Sequence, residues 1–339
     1  MGTHTHGHGE GHAGHSHGVA ENADRRWLVA ALTLISGFIV IEGIIGVLAR
    51  SLALLSDAAH MLTDAASIVL ALFAIRLAAR PSRGGYTYGL KRAEILSAQA
   101  NGLSLLLLAV WLGYEAVERL IDPPDVNGAL VLATGIAGVA VNIAAAWCMS
   151  KANRSSLNVE GAYQHILNDL YAFIGTAVSG VIVVTTGFAR ADAIASLVVV
   201  ALMVKAGVGL VRASGRVLLE AAPSGVEPDE IGDRLVSHPA VAEVHDLHVW
   251  QITSGEVSLS AHVLVAAPDG DCHAVREDLE RVLGETYGIT HTTLQVDHLG
   301  DRRPPSDAHG PSPAVEGDAR DEHCLAAHGP VHRSAPHGH

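Results

Sequence analysis

The chain has 339 residues, of which 49% are hydrophobic and only 17% charged, and its formal net charge is −13 at pH 7. Charged residues make up about a quarter of an average soluble sequence, so this composition argues against a wholly soluble protein. The acidic excess (Glu227, Asp229, Glu230, Asp233, Glu277, Asp278, Glu280 and the tail) and the lack of a basic stripe exclude a nucleic-acid partner.

The N-terminal tract, residues 1–24, is rich in Gly and His and is expected to stay disordered in the cytoplasm; His4, His6, His8, His12, His15 and His17 can capture metal weakly. It lacks the basic start and short apolar run of a cleavable signal, so the first apolar helix is expected to remain as an anchor. Six stretches then reach the roughly 20 apolar residues that cross a bilayer: 27–48, 52–79, 93–119, 128–149, 160–188 and 191–212. Together, residues 25–219 predict a six-helix transmembrane bundle. Basic residues collect at Arg25 and Arg26, at Arg76, Arg80, Arg83, Lys91 and Arg92, at Lys151 and Arg154, and at Arg212 and Arg216. That alternation places both termini in the cytoplasm, with the chain in the inner membrane. Gly43, Gly46, Gly135 and Gly138 read as helix-packing positions.

Residues 220–300 change character. A helix is expected over Pro228–Ser237, strands over Val241–Ile252 and Val257–Val265 around Ser254-Gly255, a helix over Cys272–Tyr287 and a strand over Thr292–Leu299. This αββαβ order predicts a small cytoplasmic α+β domain on an antiparallel sheet. Residues 301–339 turn Pro-, Gly- and His-rich and are expected to be a disordered tail. The three cysteines, Cys148, Cys272 and Cys324, include no C-x-x-C pair, so neither a disulfide framework nor a Cys-type zinc finger is indicated.

Ionisable residues inside membrane helices are costly and point to function. His60 and Asp64 in the second span are one turn apart on one face, and His165 and Asp169 in the fifth repeat the device. Two imidazoles and two carboxylates suit tetrahedral Zn²⁺. Asp57, Asn168, Asn101 and Asn142 are candidates to support the ligands or line the path, and Glu42 is a further polar residue at membrane depth. Imidazole must be neutral to bind metal, so metal and protons compete for the same nitrogens. A site open alternately to each side would therefore exchange Zn²⁺ for H⁺. No G-x-x-x-x-G-K-[ST] phosphate loop offers ATP as an alternative source of work. A hydrolytic metalloenzyme is not expected, because no H-E-x-x-H base occurs and four protein ligands leave no open position. A membrane-anchored zinc sensor or metallochaperone that binds without transporting is the remaining alternative.

The stretches Leu55-Ser56-Asp57-Ala58-Ala59-His60-Met61-Leu62-Thr63-Asp64, Tyr88-Gly89-Leu90-Lys91-Arg92-Ala93-Glu94, His165-Ile166-Leu167-Asn168-Asp169 and His245-Asp246-Leu247-His248-Val249-Trp250 resemble the cation diffusion facilitator family over about residues 25–300. The resemblance implies a homodimer that exchanges divalent metal for protons and a cytoplasmic domain with a metallochaperone-like fold. It also implies preference for zinc, carried by His60, with Cd²⁺ or Co²⁺ as secondary substrates. By the same resemblance, His245, His262 and Asp297, with His248 and His273 as further candidates, correspond to a regulatory metal site. Gln295 stands at one familiar ligand position of that site. The loop Ala79–Lys91 holds neither Asp nor His, so the loop metal site of some relatives is not expected.

Overall fold

The structure is a computed structural model. It describes residues 17–48, 52–123, 128–188, 190–266, 271–299 and 329–334, with the side chains at 17–24, 45–48, 52–60, 63, 64, 128, 130, 131 and 192 outside that description.

Hydrocarbon offers no partner for a backbone N–H or C=O, so an apolar run there must satisfy itself as a helix. The described residues form six such helices before Leu219: α1 (His17–Leu48), α2 (Leu52–Ala78), α3 (Ala93–Ile121), α4 (Gly128–Met149), α5 (Leu157–Thr186) and α6 (Ala191–Leu218). Among the described residues, five are long and apolar enough to cross a membrane, and α2 contributes a described apolar stretch at Ala65–Ala78. Its 27 residues rise roughly 40 Å, enough to span. Leu107, Val110 and Trp111 are 73%, 74% and 70% exposed, a surface that suits lipid and not water.

By internal contacts the chain separates into two compact units, Met1–Ala79 with Ala100–Leu210, and Arg80–Gln99 with Val211–His339. In the first, Leu28, Ile35, Met61, Ile68, Met149 and Ile166 join α1, α2, α4 and α5 in one core, while Leu105, Ala109, Val199 and Met203 join α3 to α6. The α4–α5 seam is glycine-dependent. A Cβ on Gly135 would lie 2.7 Å from the Ala177 nitrogen, one on Gly138 2.1 Å from the Phe173 ring, and one on Gly180 2.8 Å from the Leu132 nitrogen. Gly135 and Gly138 thus do the packing work read from the sequence, whereas among the described residues a Cβ on Gly43 would meet nothing within 4 Å. At one end of the bundle Trp27 of α1 meets Trp147 of α4 edge-on at 5.9 Å, with the Lys151 ammonium over the Trp147 ring.

The second unit holds α7 (Pro228–Val236), β1 (Val241–Thr253), β2 (Glu256–Val265), α8 (Cys272–Tyr287), β3 (His291–His298) and a short β4 (His332–Arg333), in sheet order β3-β2-β1-β4. Gly255, at φ +82°, closes the antiparallel β1–β2 hairpin. Asp271 caps α8 by accepting from the backbone of His273 and Ala274, and Gly288, at φ +67°, ends it. Ile231, Leu235, Val244, Leu259, Val263, Leu279 and Leu283 form the core between these helices and the sheet.

Three sequence expectations need correction here. Residues 17–24, expected to be disordered, form the first turns of α1, while 1–16 lie outside the described residues. The sheet is mixed: β3 runs parallel to β2, because α8 carries the chain back along the sheet as a crossover before it re-enters. The tail after residue 300 is not wholly without structure, since β4 pairs antiparallel with β1 through Glu243↔Arg333 and Val244↔His332.

The connection between α2 and α3 also belongs to this unit. Gly89, at φ +71°, turns it where a Cβ would lie 2.9 Å from the Arg80 carbonyl. Lys91 then reaches both Glu256 carboxylate oxygens at 2.6 Å, Arg92 reaches Glu220 at 3.1 Å, and Tyr88 meets the His291 ring at 6.4 Å.

Candidate metal centres in the membrane helices and the cytoplasmic sheet

In α5, His165 and Asp169 are 2% and 9% exposed, one turn apart on one face. Two turns before His165 on the same face, the fully buried Asn158 donates its side-chain amide to the Ala71 carbonyl of α2 at 3.0 Å. Successive helices of the bundle reverse direction, so α2 and α5 run opposite ways and this bond sets their register. Seven residues on from Asn158 is His165, and seven back from Ala71 is Asp64; four further each way are Asp169 and His60. Seven residues make about two helical turns. The two His-x-x-x-Asp segments therefore lie at one depth in opposite senses, His165 level with Asp64 and Asp169 level with His60. The backbone of His60, Asp64 and Asp57 is helical, and their side chains lie outside the described residues.

The other polar positions separate by partner. Asn168 donates to the Gln164 carbonyl at 2.8 Å and Asn142 to that of Gly138 at 3.1 Å, so the amide of each is held by its own helix. Asn101 is buried beside Gly161, where a Cβ would lie 3.6 Å from its side chain. Gly161 is one turn before His165, which sets Asn101 a turn from the candidate ligands. Glu42 is buried in α1 at 4% exposure.

Sequence reasoning passed over Asn158, although its i−7 spacing from His165 was a usable signal. It also passed over the base of α5, where Glu160 accepts from Arg154 at 2.9 Å and from Gln164 at 2.6 Å. The hydrogen bond it donates to the Glu160 carboxylate holds the Arg154 guanidinium above its ordinary pKa, against the opposing effect of burial.

In the cytoplasmic unit His245 of β1 lies directly opposite His262 of β2, with ring centroids 5.4 Å apart. His245 is buried, and the Glu243 carboxylate stands 3.2 Å from its Nδ1. The next residue, Asp246, adopts φ +53°, where the pairing slips between His245 and His248. That irregularity separates His248, which is exposed and sits 3.2 Å from Asp246. On the far side His262 registers with Gln295, whose amide donates to Asp297 at 2.8 Å. His273 is exposed at the start of α8, beside a Cys272–His298 contact of 3.4 Å. Among the described residues no three His, Cys, Asp or Glu side chains converge as a metal-binding group. The sheet thus brings His245 and His262 together and leaves Asp297, His248 and His273 apart from that pair.

Membrane-length helices carrying buried His and Asp, continued by a small mixed-sheet domain, define a multi-pass membrane protein. The profile of the cation efflux transmembrane domain matches residues 28–219, and that of the cation efflux protein cytoplasmic domain matches residues 223–299. The chain belongs to the cation efflux, or cation diffusion facilitator, family. It is 36% identical over 288 residues to the "Cadmium, cobalt and zinc/H(+)-K(+) antiporter" of Bacillus velezensis, covering 84% of this chain and 92% of that protein. It is 37% identical over 286 residues to the "Metal cation efflux system protein CzcD" of Cupriavidus metallidurans, covering 84% and 90%. With the "Zinc transporter ZitB" of Escherichia coli it shares 33% over 297 residues, covering 87% and 92%.

Proposed function

We propose that the protein exports Zn²⁺ from the cytoplasm in exchange for protons, by alternating access to a site formed by His60, Asp64, His165 and Asp169. The observation that carries this reading is the buried His165–Asp169 pair at a register, set by the Asn158–Ala71 bond, level with Asp64 and His60. Neutral imidazoles and carboxylates favour Zn²⁺, and protonation of the same nitrogens releases it. The names of the relatives, a zinc transporter and a metal/proton antiporter, support the same reading. Cd²⁺ and Co²⁺ are secondary substrates, as the name of the Bacillus relative suggests. Replacing His60 by Asp is expected to admit Cd²⁺ more readily, measured as the ratio of Cd²⁺ to Zn²⁺ flux.

The basic residues of alternate loops support a topology with both termini in the cytoplasm, and the membrane is the inner one in this reading. The working unit is a homodimer. The protein acts as a transporter and not as an enzyme, and Zn²⁺ is cargo. His245 and His262 supply two imidazoles of a regulatory zinc set, while Asp297, which accepts from Gln295, stands apart from them. One chain thus offers half of a tetrahedral shell, and no step of transport is routed through it. His248 and His273 are outside the pair.

The test is Zn²⁺ uptake into proteoliposomes with an acidic lumen. Uptake should follow the imposed pH gradient and vanish in His60→Ala and Asp169→Ala. Zinc binding without gradient-driven flux would instead leave a sensor or metallochaperone.

A further inference from the structure

The tail segment at β4 occupies a built groove. Gly232 of α7 lies directly under the His332 ring: a Cβ there would stand 2.3 Å from Cδ2 and 2.4 Å from Nε2. The side chain of His332 is only 7% exposed, its Nδ1 meets Asp233 at 2.9 Å, and its Nε2 faces Asp229 at 3.9 Å. Arg333 donates to Glu243 at 2.8 Å, and the Ser334 backbone N–H donates to the Ala242 carbonyl at 3.1 Å. Without this segment β1 would be the sheet edge, with its backbone groups open to pairing.

The groove is selective and its hold is shallow. Selectivity comes from the missing Cβ and from three carboxylates, Asp229, Asp233 and Glu243, set around a His-Arg pair. The hold is shallow because the strand is two residues long, Asp229 and Asp233 are 78% and 79% exposed, and Arg333 is 55% exposed. Exposed pairs of this kind contribute little, so the buried imidazole is the anchor. An imidazole enclosed in this way is not available to a metal ion. Zn²⁺ takes one ring nitrogen and needs open space beyond it, so an imidazole packed against Gly232 has to leave the groove before it can hold the ion.

We propose that residues 330–334 are a detachable strand of the same chain, docked through His332 on the β1 edge and the Gly232 face of α7, and that Zn²⁺ and the groove compete for His332. The docked strand covers the sheet edge and holds the histidine-bearing tail on the cytoplasmic domain. Rising zinc frees both. This inference does not depend on the transport reading.

Hydrogen exchange of the full-length protein in detergent, read by mass spectrometry on peptides covering 329–334 and 241–245, tests it. In wild type without metal, the Ser334 amide should exchange at least tenfold more slowly than in an unstructured peptide. Gly232→Ala removes the pocket while favouring the helix that bears it, so a failure to fold is not a confounder. It should return the tail to the unstructured rate and leave α8 protected. His332→Ala should do the same. Excess Zn²⁺ added to wild type should release the tail similarly. Persistent protection in Gly232→Ala would overturn the docking groove, and protection that survives or grows with Zn²⁺ would overturn the competition. A cross-link between Ala242→Cys and Ser334→Cys should stay within one chain. If it joins two differently tagged copies, the strand belongs to a second copy and the assignment fails.

Discussion

The His165–Asp169 pair of the membrane helices and the His245–His262 pair of the sheet are built by opposite means. In α5 His165 and Asp169 meet because they are four residues apart on a helix, and their geometry needs no other part of the chain. In the sheet His245 and His262 meet only because β1 and β2 pair in one register, and the slip at Asp246 immediately separates His248 from them. A local pair can be duplicated in a second helix and set level with it by a single bond, as Asn158 does with Ala71. A strand pair depends on every residue that sets its register. The helical pairs therefore suit a fixed transport site, and the sheet pair suits a site whose completion is conditional.

Several substitutions bear on that contrast, and the largest effect is expected at the proposed membrane ligands. Asp169→Asn or His165→Ala should reduce gradient-driven Zn²⁺ flux by at least about 100-fold, the upper range seen when even the residues supporting a metal ligand are lost. His245→Ala or His262→Ala should leave maximal flux within a factor of about three and shift its dependence on zinc concentration. A smaller effect is expected at the α4–α5 seam. Gly138→Ala forces a methyl into the Phe173 ring and should cost about 1–3 kcal/mol in detergent unfolding. Adding Phe173→Leu should restore part of that loss, because neighbouring changes are not additive.

Asn158→Leu should cost about 1 kcal/mol of stability, since a membrane hydrogen bond of this kind is modest. Its flux should fall several-fold while zinc binding by the purified protein persists. Equal losses of binding and flux would show that Asn158 does more than align α2 with α5. The smallest effect is at the cytoplasmic unit's surface. Glu256→Gln breaks the pair with Lys91, whose side chains are 39% and 45% exposed. The loss should be under about 1 kcal/mol and should disappear at high salt.

These differences also mark how much could be read in advance. The six long helices and the His-x-x-x-Asp repeats were legible, because length, hydropathy and i, i+4 spacing are local properties. The αββαβ order and the α8 boundaries were legible for the same reason, with Asp271 and Gly288 marking its ends. The parallel direction of β3 was not, since strand direction depends on where α8 returns the chain. β4 was invisible because two residues carry no periodicity, and its strand exists only against β1 and the bare face of Gly232. Lys91 read correctly as a basic loop residue, yet nothing in its surroundings named Glu256, 165 positions away, as its partner. Gly43 differs from Gly138 in that, among the described residues, a Cβ there would meet nothing within 4 Å.

The most direct test of the account compares the two regions in one preparation. Proteoliposomes with a pH-reporting dye in an acidic lumen would be challenged with external Zn²⁺, for wild type, Asp169→Asn and His262→Ala. The account predicts zinc entry coupled to proton exit in wild type and in His262→Ala, and neither in Asp169→Asn. Coupled exchange that survives Asp169→Asn but is lost in His262→Ala would contradict it.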